Sequence, residues 1–197
     1  MQREDGTVTE AATVGVAADA HQPIQWRAAW TVEKYWGGAA DVRAGRIEPY
    51  DVIEREGNLL LYGGADLMWL GLRGDLTTTL HFDNGLAGIA VGDDATAAAA
   101  TQTDLQASSA STNREVVGME ATYPLHTTGT GSTAVQDMTF RSVFSTTLGN
   151  FVWNEWGIKN TTSSTAGAGR LLNRKVESLG TKTAAATWTF TVKLSLA

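Results

Sequence analysis

The chain ends in an unbroken alternation of polar and apolar residues, Thr187-Trp188-Thr189-Phe190-Thr191-Val192-Lys193-Leu194-Ser195-Leu196. Successive side chains of a strand point to opposite faces. A period of two therefore places Trp188, Phe190, Val192, Leu194 and Leu196 against a core and turns the Thr, Lys and Ser toward water. Ile24, Trp26, Ala28, Trp30 and Val32 carry the same spacing near the front of the chain, with two large aromatics on one face. Thr139 to Phe144 and Phe151 to Ile158 are strand-like as well. Arg46 to Tyr50 reads as the end of another strand leading into a turn, and Glu115 to Thr122 as a strand that Tyr123-Pro124 interrupts. Leu80 to Phe82, Asp83-Asn84-Gly85 and Leu86 to Val91 read as strand, turn, strand, because Asn-Gly tolerates the positive φ of a tight hairpin.

One stretch changes period. Leu59, Leu60, Tyr62, Leu67, Trp69 and Leu70 give the apolar stripe of a helix that Asn58 caps and that Gly71 and Gly74 end. Gly63-Gly64 weakens that helix by roughly 1 kcal/mol per residue relative to Ala, so the pair points to close contact with a neighbouring backbone. Asp94 to Ser111 reads as an extended loop or a short helix around Leu105. Gly129 to Ser132 and Ser163 to Gly169 are loops. Residues 1–23 are polar and without periodicity and read as an extended arm that lies on a neighbouring subunit.

The expected fold is mainly β: a β-sandwich or jelly-roll-like domain over 24–197, with one short helix and the extended N-terminal arm over 1–23. Thr-rich strands with few charges leave edges that need cover. Symmetric assembly would supply it, with a homotrimer as the first expectation.

Composition narrows the function. Among 197 residues there is no Cys, which excludes a disulfide framework, thiolate catalysis and a Cys-based zinc site. The net charge of −6 argues against non-specific nucleic-acid binding. The first residues lack the apolar core of a signal peptide, and no apolar run approaches the roughly 20 residues that cross a membrane. Charge is segregated: residues 1–60 carry −4, residues 61–137 carry −7 and residues 138–197 carry +5. The acidic middle and basic end are suited to attract each other within one fold or between subunits, although solvated surfaces of opposite sign are the commoner outcome.

Candidate chemistry is sparse. Asp83, Asp93, Asp94 and Asp104 are hard oxygen donors of the kind calcium takes, but their spacing does not match an EF-hand loop, and turns or solvated loops explain them. His21, His81 and His126 stand at no motif spacing and read as surface or packing residues. There is no nucleophile elbow, phosphate-binding loop or metalloprotease motif. No cofactor and no metal is expected. Trp153, Asn154, Glu155 and Trp156 form the most unusual tetrad. Aromatic rings beside an amide and a carboxylate suit a sugar-binding groove, and the same residues suit packing, with the two rings on opposite faces and the polar pair bonding loop backbone. Arg174 and Lys175 near Glu177 read as a solvated strand face or as salt bridges across a subunit contact.

Residues 151–160, 171–182 and 186–196 resemble the end of a group of virion structural proteins of tailed bacteriophages, and residues 54–70 and 88–107 resemble its front. The patches lie, with gaps, between about Ile47 and Leu196. The resemblance implies a non-enzymatic head-decoration protein made in a host cytoplasm and carried on the capsid surface of the virion. Its partners would be the major capsid protein and copies of itself, with no nucleic acid and no membrane. The alternative is a tail or head fibre module that binds a host-surface glycan. A polysaccharide hydrolase would need paired carboxylates in a groove, and Glu155 with Glu177 is the late pair available. No catalytic residue travels with the resemblance.

Overall fold

The computed structural model describes residues 25–109, 111–127 and 136–196. The expected arm over 1–23, Ile24 and the loop Gly129 to Ser132 lie outside the described residues.

The C-terminal alternation becomes the spine of the first sheet. β10 (Ala186–Leu196) pairs with β1 (Trp26–Trp36), Trp26 opposite Leu196 and Trp36 opposite Ala186, and on its other side with β7 (Asp137–Phe144). β2 (Asp51–Glu56) and β6 (Leu125–Thr127) complete the order β2-β1-β10-β7-β6. The second sheet has the order β3 (Leu59–Leu60), β9 (Asn173–Thr181), β8 (Val152–Lys159), β4 (Gly88–Gly92), β5 (Arg114–Gly118). All pairings are antiparallel. The molecule is a β-sandwich of two five-stranded sheets.

Aromatic residues join the layers. Trp30 of β1 meets Trp156 of β8 edge-on at 5.6 Å, Trp156 meets Phe190 of β10 at 5.1 Å, and Trp153 of β8 meets Trp188 of β10 at 4.7 Å. Such edge-to-face pairs contribute about 0.5–1.5 kcal/mol each beyond the area they bury.

The alternation holds for Ala28, Trp30 and Val32 and for Trp188, Phe190, Val192 and Leu194, all buried. It fails at both ends of β10. Thr187 and Thr189 are fully buried rather than wet. β10 is central, so longer residues on its neighbours close over these short ones: Tyr35 lies opposite Thr187, and Glu33 and Val143 flank Thr189. The Thr187 hydroxyl donates to the Gly37 carbonyl at 2.7 Å. Leu196, expected in the core, is exposed where the sandwich opens at its end.

Sheet edges are blunter than their composition suggests. β3 and β6 are two and three residues long, and β2 carries Asp51, Glu54, Arg55 and Glu56 in six residues. Short or charged edges resist strand addition, so edge cover is a weaker reason for assembly than expected.

The helix α2 runs Tyr62–Arg73 and starts later than its apolar stripe. Asn58 does not cap it. The Asn58 side chain instead accepts from Trp26 Nε1 at 2.7 Å, and Leu59-Leu60 pair with β9. Gly74, at φ 75°, ends the helix. Gly64 fits the close-contact reading: a Cβ there would stand 2.1 Å from the Leu172 carbonyl oxygen, so the helix rests directly on backbone. Gly63 meets nothing. A second, five-residue helix, α1 (Ala39–Arg43), was not expected.

Two other expectations are corrected. Arg46 to Tyr50 is irregular, and the strand begins only at Asp51. Asp83-Asn84-Gly85 is a turn but joins no hairpin, because β4 pairs with β5 and β8. The Asp83 carboxylate accepts from the N–H groups of Gly85 and Leu86, and Asn84 donates to the carbonyls of Glu120 and Tyr123. Side-chain bonding makes this turn without positive φ. Of the two readings of Asp94–Ser111 the loop holds, since the stretch carries no helix among its described residues.

Candidate functional site

The tetrad on β8 is interior. Trp153 and Trp156 are both fully buried and share one cluster, although residues three apart in a regular strand face opposite ways. The register against β9 slips between Trp153 and Glu155, and the slip aims both rings inward. This corrects the expected opposite-face arrangement, and neither ring offers a face to a sugar. Trp153 Nε1 donates to the Gly149 carbonyl at 2.8 Å. The polar pair bonds loop backbone: Asn154 donates to the Asp93 carbonyl at 2.9 Å, and Glu155 accepts from the N–H groups of Ala107 at 2.7 Å and Gln106 at 3.1 Å.

Glu155 begins a buried ionic clasp. Arg174 of β9, fully buried, donates from Nε to Glu155 at 2.6 Å and from Nη1 to the Thr96 carbonyl and Gln102, both at 2.9 Å. Its Nη2 lies 3.7 Å from Asp94. Hydrogen bonding from Thr96, with the Arg174 charge nearby, holds the Asp94 carboxyl below the usual aspartate range. Arg174 is therefore neither a solvated strand residue nor a surface salt-bridge partner. Lys175 and Arg55 each lie 3.5 Å from Glu177 nearer the surface. Glu155, with no exposed surface, does not share an open groove with Glu177.

Asp104 is the second centre. It takes Lys159 Nζ at 2.6 Å, Arg114 Nη1 at 2.8 Å and the Gly167 N–H at 2.7 Å. Burial alone would raise its carboxyl, but hydrogen bonds from Lys159, Gly167 and Arg114 outweigh burial and hold it below the usual range. Arg114 also donates to the carbonyls of Leu105 and Ala107. This array ties the 93–109 segment to the face of the second sheet turned away from the core.

The acidic middle and basic end thus meet within one fold, Asp94 and Asp104 facing Arg174 and Lys159. The expected turn or solvated-loop role of Asp104 is wrong. A signal was present in the sequence: β8 places Glu155, Gly157 and Lys159 on the face opposite Trp156 and Ile158, and charges on an inner strand need partners. Gly157 belongs to the same packing, since a Cβ there would stand 2.2 Å from the Asn173 carbonyl oxygen. The four aspartates of the calcium reading form no site. Among the described residues no group of three or more His, Cys, Asp or Glu is placed to hold a metal.

Lys182 is buried on its own terms. Its Nζ donates to the Ser145 carbonyl at 2.6 Å and to Asn150 at 2.8 Å, and burial lowers its pKa to about 8.

What the surface offers is apolar. A cavity of about 580 Å³ opens beside α2 at the end of the sandwich, walled by Trp26, Leu67, Met68, Phe82, Phe140 and Leu194. His81 and His126, unrelated by sequence spacing, both line it. His21 lies outside the described residues. On the solvent side of α2, Tyr62, Trp69 and Leu72 are 69%, 66% and 78% exposed. Elsewhere Trp36 and Tyr50, 59% and 43% exposed, stack at 4.4 Å with 16° between their planes. Tyr62 and Trp69 belong to the apolar periodicity of α2 but lie on the side that the sandwich leaves uncovered.

No protein-family model, curated protein or solved structure matches this chain.

Proposed function

We propose that the chain is a non-enzymatic structural protein that works by docking, and that it decorates a bacteriophage capsid, cementing neighbouring capsomers through contacts with the major capsid protein. The observation that carries this reading is the division of chemistry between interior and surface. The Glu155–Arg174 and Asp104–Arg114–Lys159 groups are paired and buried beneath the 93–109 segment. Four exposed large apolar side chains, Tyr62, Met68, Trp69 and Leu72, lie instead together on α2 beside an open apolar cavity. Contiguous exposed apolar surface of this kind belongs to interaction sites. The resemblance of 151–160, 171–182 and 186–196 to virion structural proteins supplies the capsid as partner. Binding to the assembled shell favours the particle over free subunits by mass action.

The test compares virions with and without the protein under heating. Earlier genome loss from depleted particles supports cementing. Equal genome retention, with loss of host attachment instead, favours a second reading, a fibre module that binds a host-surface glycan. One observation supports that alternative: the exposed Trp36–Tyr50 stack has the flat aromatic face that sugar rings pack on. A Trp36→Ala variant that lost cell binding would carry it.

A further inference from the structure

We propose that α2 is a self-association surface through which two copies of this chain pair across a two-fold axis. At 3.6 residues per turn, Tyr62, Asp66, Trp69 and Arg73 follow one another at intervals of four, three and four and form a single stripe. The stripe faces away from Gly64 and Leu67, which seat the helix on the sandwich. Its aromatics are about two-thirds exposed, and Leu72 and Met68 continue the apolar surface to the cavity mouth.

The charges on this stripe select the occupant. A two-fold contact joins the same patch on both copies, so the patch must complement itself read backwards. Place a second α2 antiparallel to the first, with the axis between Trp69 and Leu70. Asp66 of each copy then falls opposite Arg73 of the other, and the two Trp69 rings meet at the centre. Acid and base sit at mirrored positions around an aromatic, so the pairing gives two ion pairs. In the single chain Asp66 pairs with Arg170 at 3.1 Å and Arg73 with Asp75 at 2.7 Å. All four side chains are substantially exposed, and such pairs exchange partners at little cost. These four charges sum to zero, so the contact itself carries no net repulsion between copies whose overall charge is −6 each.

The size is adequate. A Trp or Tyr presents about 150–250 Å², so Tyr62 and Trp69 together leave roughly 200–300 Å² open. Leu72, Met68 and the cavity rim extend this toward the about 800 Å² per partner of a standard interface. A central Trp with Arg and Tyr flanking it is the composition of binding hot spots.

Self-pairing takes the same face that the capsid reading assigns to docking, so it is measured without capsids, on the purified full chain, by sedimentation velocity across a wide concentration range. The expected result is a reversible monomer–dimer equilibrium whose dissociation constant rises at least about tenfold in Trp69→Ala, the loss typical of a hot spot. At concentrations where the parent is monomeric the melting temperature should change little, because two-thirds of the Trp69 surface is exposed. Asp66→Arg alone and Arg73→Asp alone should each weaken pairing several-fold. An equimolar mixture of the two variants should restore it, because in the mixed pair every Arg meets an Asp. A monomer at all concentrations would overturn the proposal. So would a dimer indifferent to Trp69→Ala, or a mixture no tighter than either variant alone. A monomeric protein whose capsid binding nonetheless needed Trp69 would overturn self-pairing and leave the docking function standing.

Discussion

Replacing Glu155 by glutamine keeps the side chain's shape and removes its charge, which isolates what the clasp contributes. In the parent, one carboxylate oxygen faces the Ala107 N–H, and the other faces the Gln106 N–H and Arg174 Nε. All three neighbours are donors. A glutamine offers one acceptor oxygen and one NH₂ group, so in either orientation its NH₂ points at a donor and at least one bond is lost. Arg174 meanwhile stays fully buried, with Asp94 at 3.7 Å as its nearest remaining acid. Removing one partner of a buried ion pair costs about 3–5 kcal/mol, because the other charge is left uncompensated. For a chain of this size that corresponds to a melting temperature lower by about 10 °C, at roughly 2–4 °C per kcal/mol. Urea unfolding of parent and variant with equal m-values is the assay. The double variant Glu155→Met with Arg174→Met serves as control. It removes both charges, and its loss should fall well short of the sum of the single losses. A Glu155→Gln variant within about 1 kcal/mol of the parent would show that the clasp contributes no more than a surface pair.

Four further outcomes follow from the geometry. Trp188→Ala should cost about 3–5 kcal/mol in the same assay, because its fully buried ring joins the two sheets. Gly64→Ala should destabilise by about 1–3 kcal/mol through overpacking, since the new methyl meets the Leu172 carbonyl; an unchanged melting temperature would show that α2 shifts freely. Asp104 is held below its unfolded pKa of about 3.9, so its contribution is complete above that pH and is lost as pH falls through the folded value; Asp104→Asn should be less stable at neutral pH and lose less in acid. The Lys182 amine titrates near 8 when folded and near 10.4 when unfolded, so the unfolded chain binds more protons between those values; stability should rise from pH 8 to about pH 10 in the parent and stay flat in Lys182→Met.

The sandwich was legible because its strands announce themselves locally. The alternations around Trp30 and Phe190 each face one core, and a period of two fixes which side chains enter it. What the sequence withheld depended on contacts between distant segments. Thr187 and Thr189 read as wet because nothing local says that β10 is central and overhung by Tyr35 and Glu33. The Glu155 clasp joins residues 48 and 49 positions apart through Ala107 and Gln106, and Asp104 reaches Lys159 across 55. The segregation of charge, and the charged face that alternation gives β8, hinted at such pairing without naming the partners. The tetrad misled because an intact strand puts Trp153 and Trp156 on opposite faces, and a register slip is invisible without its partner strand. The exposed stripe of α2 was hidden by the same limit. Periodicity identifies a helix with two apolar sides, and only the position of the sandwich decides which side is left open.

The most direct test of the docking account is to locate and count this chain on virions purified from a culture that produces it. Quantitative mass spectrometry would be paired with electron microscopy of particles labelled through the chain. The account predicts copies in fixed proportion to the capsid lattice, spread over the head, with binding to depleted heads weakened by Trp69→Lys. A few copies confined to the tail, or none in the particle, would contradict it.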